Sequence, residues 1–221
     1  RASGEPFAYA TGRAAFRTLE LAVDRRVLIP RPETEGLVEL ALRWTNGATG
    51  GVAADIGTGS GCIALSLAME GRFDRVIATD LSPHAAALAR ENVRHVKPHV
   101  PVDVWIGDLL EPLAAECCRV VVANPPYLSD AEWDALDPAV RAFEPRQALA
   151  SGPDGLAATR ALFSSAPRVL VPGGLLALEI DERRAAVVRA LARAAGWRRV
   201  GIQQDLFGRP RYAVAVWGED A

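Results

Sequence analysis

The sequence predicts an α/β fold: an open, mostly parallel sheet with helices on both faces, an antiparallel last strand, and a small N-terminal β-hairpin before it. Three observations carry this expectation. From about residue 50, short β-rich runs alternate with helical stretches, the pattern of parallel strands joined by helical crossovers. A glycine-rich loop stands directly between the first such run and the first helix. The last two β-rich runs are joined by Gly208-Arg209-Pro210, too short for a helical crossover, so they pair antiparallel.

The elements follow in order. Residues 1–35 form a hairpin or flap segment: 7–12, 15–19 and 21–23 read as short strands or turns, leading to Leu28-Ile29-Pro30-Arg31-Pro32-Glu33-Thr34-Glu35. A helix is expected over 36–44, opening a second segment, 36–221, that holds the main sheet. Strands are expected at 52–56, 75–79, 102–106, 119–123, 175–180, 200–205 and 212–217, and helices at 62–70, 83–96, 156–170 and 182–195. Ser82 followed by Pro83 is a helix start, a capping hydroxyl and then a proline in the first turn.

Half of the 221 residues are hydrophobic, ample for a buried core, and 24% are charged, with a net charge of −2 and a pI of about 6.0. A protein that neutralises nucleic-acid phosphates carries a basic excess, so direct nucleic-acid binding is not expected. Lys97 is the sole lysine, a bias of composition rather than of function. Cys62, Cys117 and Cys118 lack zinc-type spacing and read as reduced thiols of a cytoplasmic protein with no metal site. No signal peptide is visible in these residues and no apolar run nears the roughly 20 residues that span a bilayer, so no membrane partner is expected. The chain opens at Arg1 rather than methionine.

Asp55-Ile56-Gly57-Thr58-Gly59-Ser60-Gly61 is the sharpest early signal. Glycines there allow a tight turn and let the backbone approach a ligand at the carboxyl end of a strand, where open parallel sheets bind. The dinucleotide fingerprint spaces its third glycine three after the second, and a phosphate loop ends in Gly-Lys-Ser/Thr. This G-x-G-x-G pattern is neither. A carboxylate at Asp55 repels a pyrophosphate but suits a cofactor bearing an ammonium group, which favours S-adenosylmethionine over NAD. Asp80, at the end of the second strand with Leu81 beside it, accepts from ribose hydroxyls, a feature both cofactors share. Asp108 ends the third strand and accepts from the adenine amino group, with Leu109 beside the ring.

The fourth strand ends in Asn124-Pro125-Pro126-Tyr127. Two prolines fix φ and remove two backbone donors, so the segment is stiff and presents carbonyls. The Asn124 side-chain oxygen and the Pro125 carbonyl accept from an NH₂ group, and Tyr127 stacks on a planar substrate. The constellation holds a planar amide or amine nitrogen toward a donor methyl.

At this point the sequence resembles the protein-(glutamine-N5) methyltransferases of the release-factor-modifying type, the HemK/PrmC family. The resemblance runs through nearly the whole chain: Gly4-Glu5-Pro6 with Tyr9 and Gly12, the stretch Ile29-Pro30-Arg31-Pro32-Glu33-Thr34-Glu35, the glycine loop, and Asn124-Pro125-Pro126-Tyr127. It continues through Phe143-Glu144-Pro145-Arg146-Gln147-Ala148-Leu149, Asp154-Gly155-Leu156 and Asp205-Leu206-Phe207-Gly208-Arg209. It implies a Rossmann-like class I S-adenosylmethionine-dependent methyltransferase, acting as a monomer on the glutamine of the Gly-Gly-Gln loop of class 1 release factors. It places the donor at Gly57, Thr58, Gly59, Ser60, Gly61, Asp80, Leu109 and Asn124, and the substrate amide at Asn124, Pro125, Pro126 and Tyr127. Arg31-Pro32-Glu33 then sits near the mouth of the site and Glu144-Pro145-Arg146 shapes its rim. Two departures bear on the substrate more than on the chemistry. The N-terminal helical domain usual in the family is missing here, and Glu179-Ile180-Asp181-Glu182-Arg183-Arg184 lacks the glycine and glutamine expected after that glutamate.

Other residues read as structural. His84, His95 and His99 form no ligand set; Arg183, Arg184, Arg189 and Arg193 are a solvated helix face; Arg198 and Arg199 make at most a modest basic patch; Trp105 and Trp133 pack. The rival functions are methylation of a ribosomal-protein glutamine, adenine-N6 methylation of nucleic acid, tailoring of a small natural product, and a non-catalytic donor-binding module. Adenine chemistry in duplex DNA needs base flipping and a basic recognition region, for which this chain has neither the length nor the charge.

Overall fold

The computed structural model describes residues 4–218; residues 1–3 and 219–221, the outer ends of the two expected segments, lie outside the described residues. The chain begins with α1 (Phe7–Thr11), β1 (Arg13–Phe16) and β2 (Leu19–Ala22), the last two pairing antiparallel as the hairpin. The expectation of strand or turn at 7–12 is corrected to a helix. The Pro6 carbonyl accepts from the N–H of Tyr9 and Ala10, and Gly12 closes the turn in the left-handed region at φ 71°.

Helix α2 (Pro32–Thr45) starts four residues before the expected Gly36. Pro32 needs no hydrogen-bond partner in the first turn, and Glu33 and Glu35 sit where the helix dipole favours negative charge. Then come β3 (Val52–Ile56), α3 (Cys62–Glu70), β4 (Arg75–Asp80), α4 (Pro83–Val96), β5 (Val102–Ile106) and β6 (Cys118–Ala123). Ser82 caps α4 by accepting from Ala85 N (3.2 Å). Three short helices, α5 (Asp130–Asp134), α6 (Pro138–Phe143) and α7 (Arg146–Leu149), fill a stretch for which no elements were expected. Ser129 and Glu132 form a reciprocal capping box at α5. The chain ends with α8 (Ala157–Val169), β7 (Leu170–Glu179), a 3₁₀ turn at Glu182–Arg184, α9 (Ala185–Ala194), β8 (Arg199–Gln204) and β9 (Pro210–Val216).

The seven-stranded sheet runs β5-β4-β3-β6-β7-β9-β8. Pairs among β5, β4, β3, β6 and β7 are parallel; β9 lies antiparallel to both β7 and β8, as the short final connection requires. Parallel strands covered on both faces read as continuous apolar runs, and Val120, Val121, Val122 and Ala123 of β6 are all fully buried. Helices α2, α3 and α4 pack one face together with Phe16, Leu19 and Leu21 of the hairpin. Helices α8 and α9 pack the other around Phe163 and Trp197. The hairpin therefore rests on α3 and α4 rather than on the sheet itself.

Arg184 departs from the solvated face expected of it. It is largely buried and bonds both Asp181 and Glu132, because the turn at Glu182–Arg184 swings it back over α5. Trp133 is buried, as expected. Among the described residues no helix is long and apolar enough to cross a membrane, and no group of His, Cys, Asp or Glu is arranged to hold a metal.

Candidate active site

Strand order reverses direction between β3 and β6, the switch point at which open α/β sheets bind ligands. The register pairs Ile56 with Ala123, so the chain leaves both strands at one level: Gly57 follows the first and Asn124 the second. The glycine loop and the Asn-Pro-Pro-Tyr segment thus flank one crevice. Gly57, Thr58, Gly59, Ser60, Asp80, Leu81, Asp108, Leu109, Asn124 and Pro126 all line a single cavity of about 530 Å³, within the range of cofactor sites.

The loop is wired to its surroundings. Gly57, Gly59 and Gly61 take φ of 71°, 56° and 84°, open to glycine without strain. The Gly57 and Thr58 N–H groups both donate to the Thr79 carbonyl (2.9 Å each). Asp55, fully buried, accepts from Thr58 Oγ1 (2.5 Å) and from Ala64 N (3.0 Å) in the first turn of α3. Asn92 of α4 donates to the Ser60 carbonyl (2.8 Å) and exchanges hydrogen bonds with both backbone groups of Ala22, tying loop, helix and hairpin together. Asp55 and Gly61 do not line the cavity; they shape the loop from behind. Burial raises the Asp55 carboxyl to about 7 against the lowering effect of Thr58 and Ala64. Its Oδ1, like Ser60 Oγ, is buried without a partner.

Asp80 closes β4 and accepts from Gly59 N on Oδ2 and Ser82 N on Oδ1, 2.8 Å each. Burial raises its pKa, opposed by those two N–H groups. Leu81, 53% exposed, forms apolar wall beside it. Asp108 lies two residues beyond the end of β5 at Ile106, so it sits in a bend rather than ending the strand as expected, yet it still faces the cavity. Leu109 takes φ 44°, and its carbonyl accepts from Thr79 Oγ1 (2.9 Å).

At the far side, Asn124 Nδ2 donates to Thr34 Oγ1 (3.0 Å), and Thr34 Oγ1 donates to Glu179 Oε2 (2.7 Å). The backbone after Asn124 is strapped by Tyr127 N and Leu128 N, both donating to the Leu149 carbonyl. Gly155 presses on it so closely that a Cβ there would stand 2.4 Å from the Tyr127 carbonyl oxygen. Pro125 is buried, and neither it nor Tyr127 lines the cavity. Burial, and then the charge of Glu179, push the Tyr127 phenol up to about 12.

Thr34 and Glu179 were not singled out as site residues from sequence. Thr34 lines the cavity from the first turn of α2, and Glu179 is the residue of β7 just beyond the pairing of Ala123 with Leu178, level with Asn124. The available signal was an acidic residue closing an otherwise apolar strand. Burial raises Glu179 to about 7, with the Thr34 hydrogen bond and the Arg211 charge acting the other way. Arg31 forms a two-pronged contact with Glu144 (2.7 and 2.8 Å), so Glu144 clamps the segment before α2 rather than only shaping a rim.

A doubly wound sheet with an antiparallel last strand and a carboxylate-edged, partly apolar cavity at its switch point is the architecture of a methyltransferase fold. The family model of the methyltransferase small domain matches residues 38–144. A release factor glutamine methyltransferase of Moorella thermoacetica is 44% identical over 100% of this chain and 78% of that relative. One of Caulobacter vibrioides is 39% identical over 98% of this chain and 75% of its own length. The chain belongs to the release factor glutamine methyltransferase family. Among solved structures, a methyltransferase from Pyrococcus furiosus superposes with a TM-score of 0.67 at 20% identity, covering 91% of this chain and 90% of its own, a likeness of fold. Family and fold together imply S-adenosylmethionine as methyl donor. The residues present fit it: a carboxylate for hydroxyls in Asp80, apolar surface in Leu81 and Leu109, and an unpartnered buried oxygen on Ser60.

Proposed function

We propose that this enzyme transfers the methyl group of S-adenosylmethionine to the side-chain amide nitrogen of a protein glutamine, the Gly-Gly-Gln glutamine of class 1 release factors, as a monomer in the cytoplasm where translation runs. The observation that carries the reading is the register of β3 with β6, which sets Asn124 across one cavity from the glycine loop. The names of relatives 39–44% identical over nearly the whole chain support the substrate.

When bound, the donor supplies an electrophilic methyl on a positively charged sulfur. The residues 57–61 turn and Asp80 would hold its adenosyl part, with Leu81, Asp108 and Leu109 available to its ring and Asp55 stiffening the turn. The Asn124 oxygen and the Pro125 carbonyl accept from the substrate NH₂, fix its plane and draw its lone pair out of conjugation. Tyr127, partly buried, closes the same stiff segment and lies off the cavity. No strong base would be required of this chain before transfer, because the methylated nitrogen would be acidic enough to lose its proton to solvent afterwards. Alignment supplies the rate.

Incubation with S-adenosylmethionine and a recombinant class 1 release factor is expected to add one methyl to that glutamine, read by peptide mass spectrometry. Asn124→Ala is expected to slow the transfer about 100-fold or more. Methyl transfer to duplex DNA or a ribosomal protein in preference to the release factor, or transfer to none of them, would overturn the assignment.

A further inference from the structure

We infer that Glu179 and Thr34 are positioning residues that set which way the Asn124 carboxamide points, so that its oxygen rather than its nitrogen meets the substrate amide. The inference rests on the proposed role of Asn124 in holding the substrate nitrogen. It comes from hydrogen-bond polarity. An ionised carboxylate only accepts, and a hydroxyl has one proton to give. Glu179 Oε2 lies 2.7 Å from Thr34 Oγ1, so that proton is committed to Glu179. The Thr34 oxygen can then only accept from Asn124, 3.0 Å away, and the atom facing it is the NH₂. The Asn124 oxygen is thereby turned away from Thr34 and left for an N–H donor. A flipped carboxamide would set its oxygen against the Thr34 oxygen, two acceptors with no proton between them, and its NH₂ against the substrate NH₂, two donors with nothing accepting.

Burial makes the relay binding. Thr34 and Glu179 are each 2% exposed, so water does not substitute for either partner. Thr34 is held in place independently: its N–H donates to the Arg31 carbonyl (3.1 Å), Tyr212 Oη donates to the neighbouring Glu33 carbonyl (2.6 Å), and Arg31 is fastened to Glu144. The charged and titratable groups around Glu179 come from every side. They are Arg31 just before α2, Glu33 in its first turn, Cys62 of α3, Tyr127 after β6, and Arg211 and Tyr212 of β9. Protonated, Glu179 can itself donate to Thr34, the Thr34 proton is released toward Asn124, and the carboxamide loses its enforced orientation. With the carboxyl raised to about 7 by burial, that change falls in the neutral range, and the oriented state belongs to the alkaline side.

The test reads Asn124 directly. In the ¹⁵N-labelled chain, the Asn124 side-chain amide signals are assigned by their loss in Asn124→Ala and followed from about pH 5.5 to about pH 8.5, across the titration of a carboxyl raised into this range. They are expected to titrate in the parent and in Thr34→Ser, and to stay flat in Thr34→Val and Glu179→Gln. In parallel, Thr34→Val is expected to lower kcat about 10- to 100-fold, the usual cost of misplacing a group that acts by alignment, with KM and donor affinity held. Thr34→Ser restores kcat, and Glu179→Gln removes the acid limb of the pH–rate profile. Asn124 signals that ignore both pH and Glu179→Gln, or a Thr34→Ser variant as slow as Thr34→Val, overturn the inference. The NMR arm needs no substrate, so it decides the relay even where the release factor is not methylated; that second failure would count against the proposed reaction alone. Circular dichroism and donor binding on each variant separate a lost relay from a lost fold.

Discussion

Gly36→Ala offers a quantitative test of how α2 holds the site. Alanine normally stabilises a helix interior over glycine by about 0.5–1 kcal/mol. Here a Cβ on residue 36 would stand 2.2 Å from Tyr212 Oη and 2.9 Å from Cζ of the same ring. Tyr212 is buried, and its hydroxyl donates to the Glu33 carbonyl at 2.6 Å, so the ring cannot swing aside without breaking that bond. Overpacking costs about 1–3 kcal/mol and the lost hydrogen bond about 0.5–1.5 kcal/mol. Set against the helix gain, the net loss is about 2 kcal/mol, or roughly 4–8 °C of melting temperature for a domain of this size. Tyr212→Phe separates the causes. Alone it costs about 1 kcal/mol for the lost hydrogen bond. In the Gly36→Ala background it removes the atom at 2.2 Å, so it should cost nothing or stabilise. The assay is thermal and urea unfolding of the four proteins of this double-mutant cycle, with kcat beside it, because Thr34 lies two residues before Gly36 in the same turn. A Gly36→Ala protein that melts higher than the parent, or a cycle without coupling, would refute the packing argument.

Three further outcomes follow from the site. Asp80→Asn keeps the size of the side chain but not its charge or its second acceptor; S-adenosylmethionine should bind about 10- to 100-fold more weakly by calorimetry, the worth of a hydrogen bond to a charged group, and an unchanged Kd would remove Asp80 from the donor site. Because burial raises the Asp55 carboxyl from 3.8 to about 7, the folded state holds its proton more tightly than the unfolded chain does. The contribution of this group to stability is therefore full below about pH 4 and declines as pH rises toward about 7, by up to about 4 kcal/mol, with Asp55→Asn flattening the decline in urea titrations. The carboxyls held low by arginines, such as Asp24 and Asp181, titrate below this window and do not mask the trend. Arg31→Ala strands Glu144, whose side chain is 4% exposed, while Arg31 itself is 39% exposed; the expected loss is about 1–3 kcal/mol, below that of a fully buried pair, and Arg31→Ala with Glu144→Ala should recover part of it.

What the sequence made legible was what local chemistry decides. Residues 52–56, 62–70, 83–96 and 102–106 were bounded correctly, because apolar runs, the Ser82–Pro83 start, glycines at 51, 57, 61, 71 and 107 and prolines at 98 and 101 mark their ends without reference to the rest of the fold. The cavity residues after β3, β4 and β6 were legible for a related reason: ligands gather at strand ends in such sheets, and the glycine and Asn-Pro-Pro-Tyr motifs advertise those ends. Errors arose where a distant partner decides. Residues 7–12 fold as α1 with Tyr9 Oη bonded to the Val27 carbonyl, a contact across eighteen residues that no window sees. The start of α2 was missed although Pro32, Glu33 and Glu35 are helix-start signals, because the same stretch also reads as a proline-rich loop. The Asp55 carboxylate, expected to suit a cofactor's ammonium group, closes the loop on Thr58 and Ala64. The Thr34–Glu179 pair spans 145 residues and carries no local signature.

An amide nitrogen is so weak a nucleophile that a reaction without a strong base must draw its rate from alignment, and alignment is lost through ångström-scale movement. For the proposed transfer to a glutamine amide, that requirement accounts for how the site is fastened. Each of its three walls is tied to another by a side chain that reaches backbone or a buried partner: Asn92 joins the hairpin to the glycine loop, Arg31 and Glu144 join the approach to α2 to the end of α6, and Thr34 joins α2 to β6 and β7. Gly155 completes the set by letting one backbone lie against the Tyr127 carbonyl where any side chain would collide. Several of these residues touch neither the cavity nor a reacting atom, yet each fixes the distance between two that do. Sensitivity of kcat to substitution should therefore extend along these ties to Asn92, Glu144 and Gly155, while exposed residues nearer the cavity mouth, free of such ties, tolerate change.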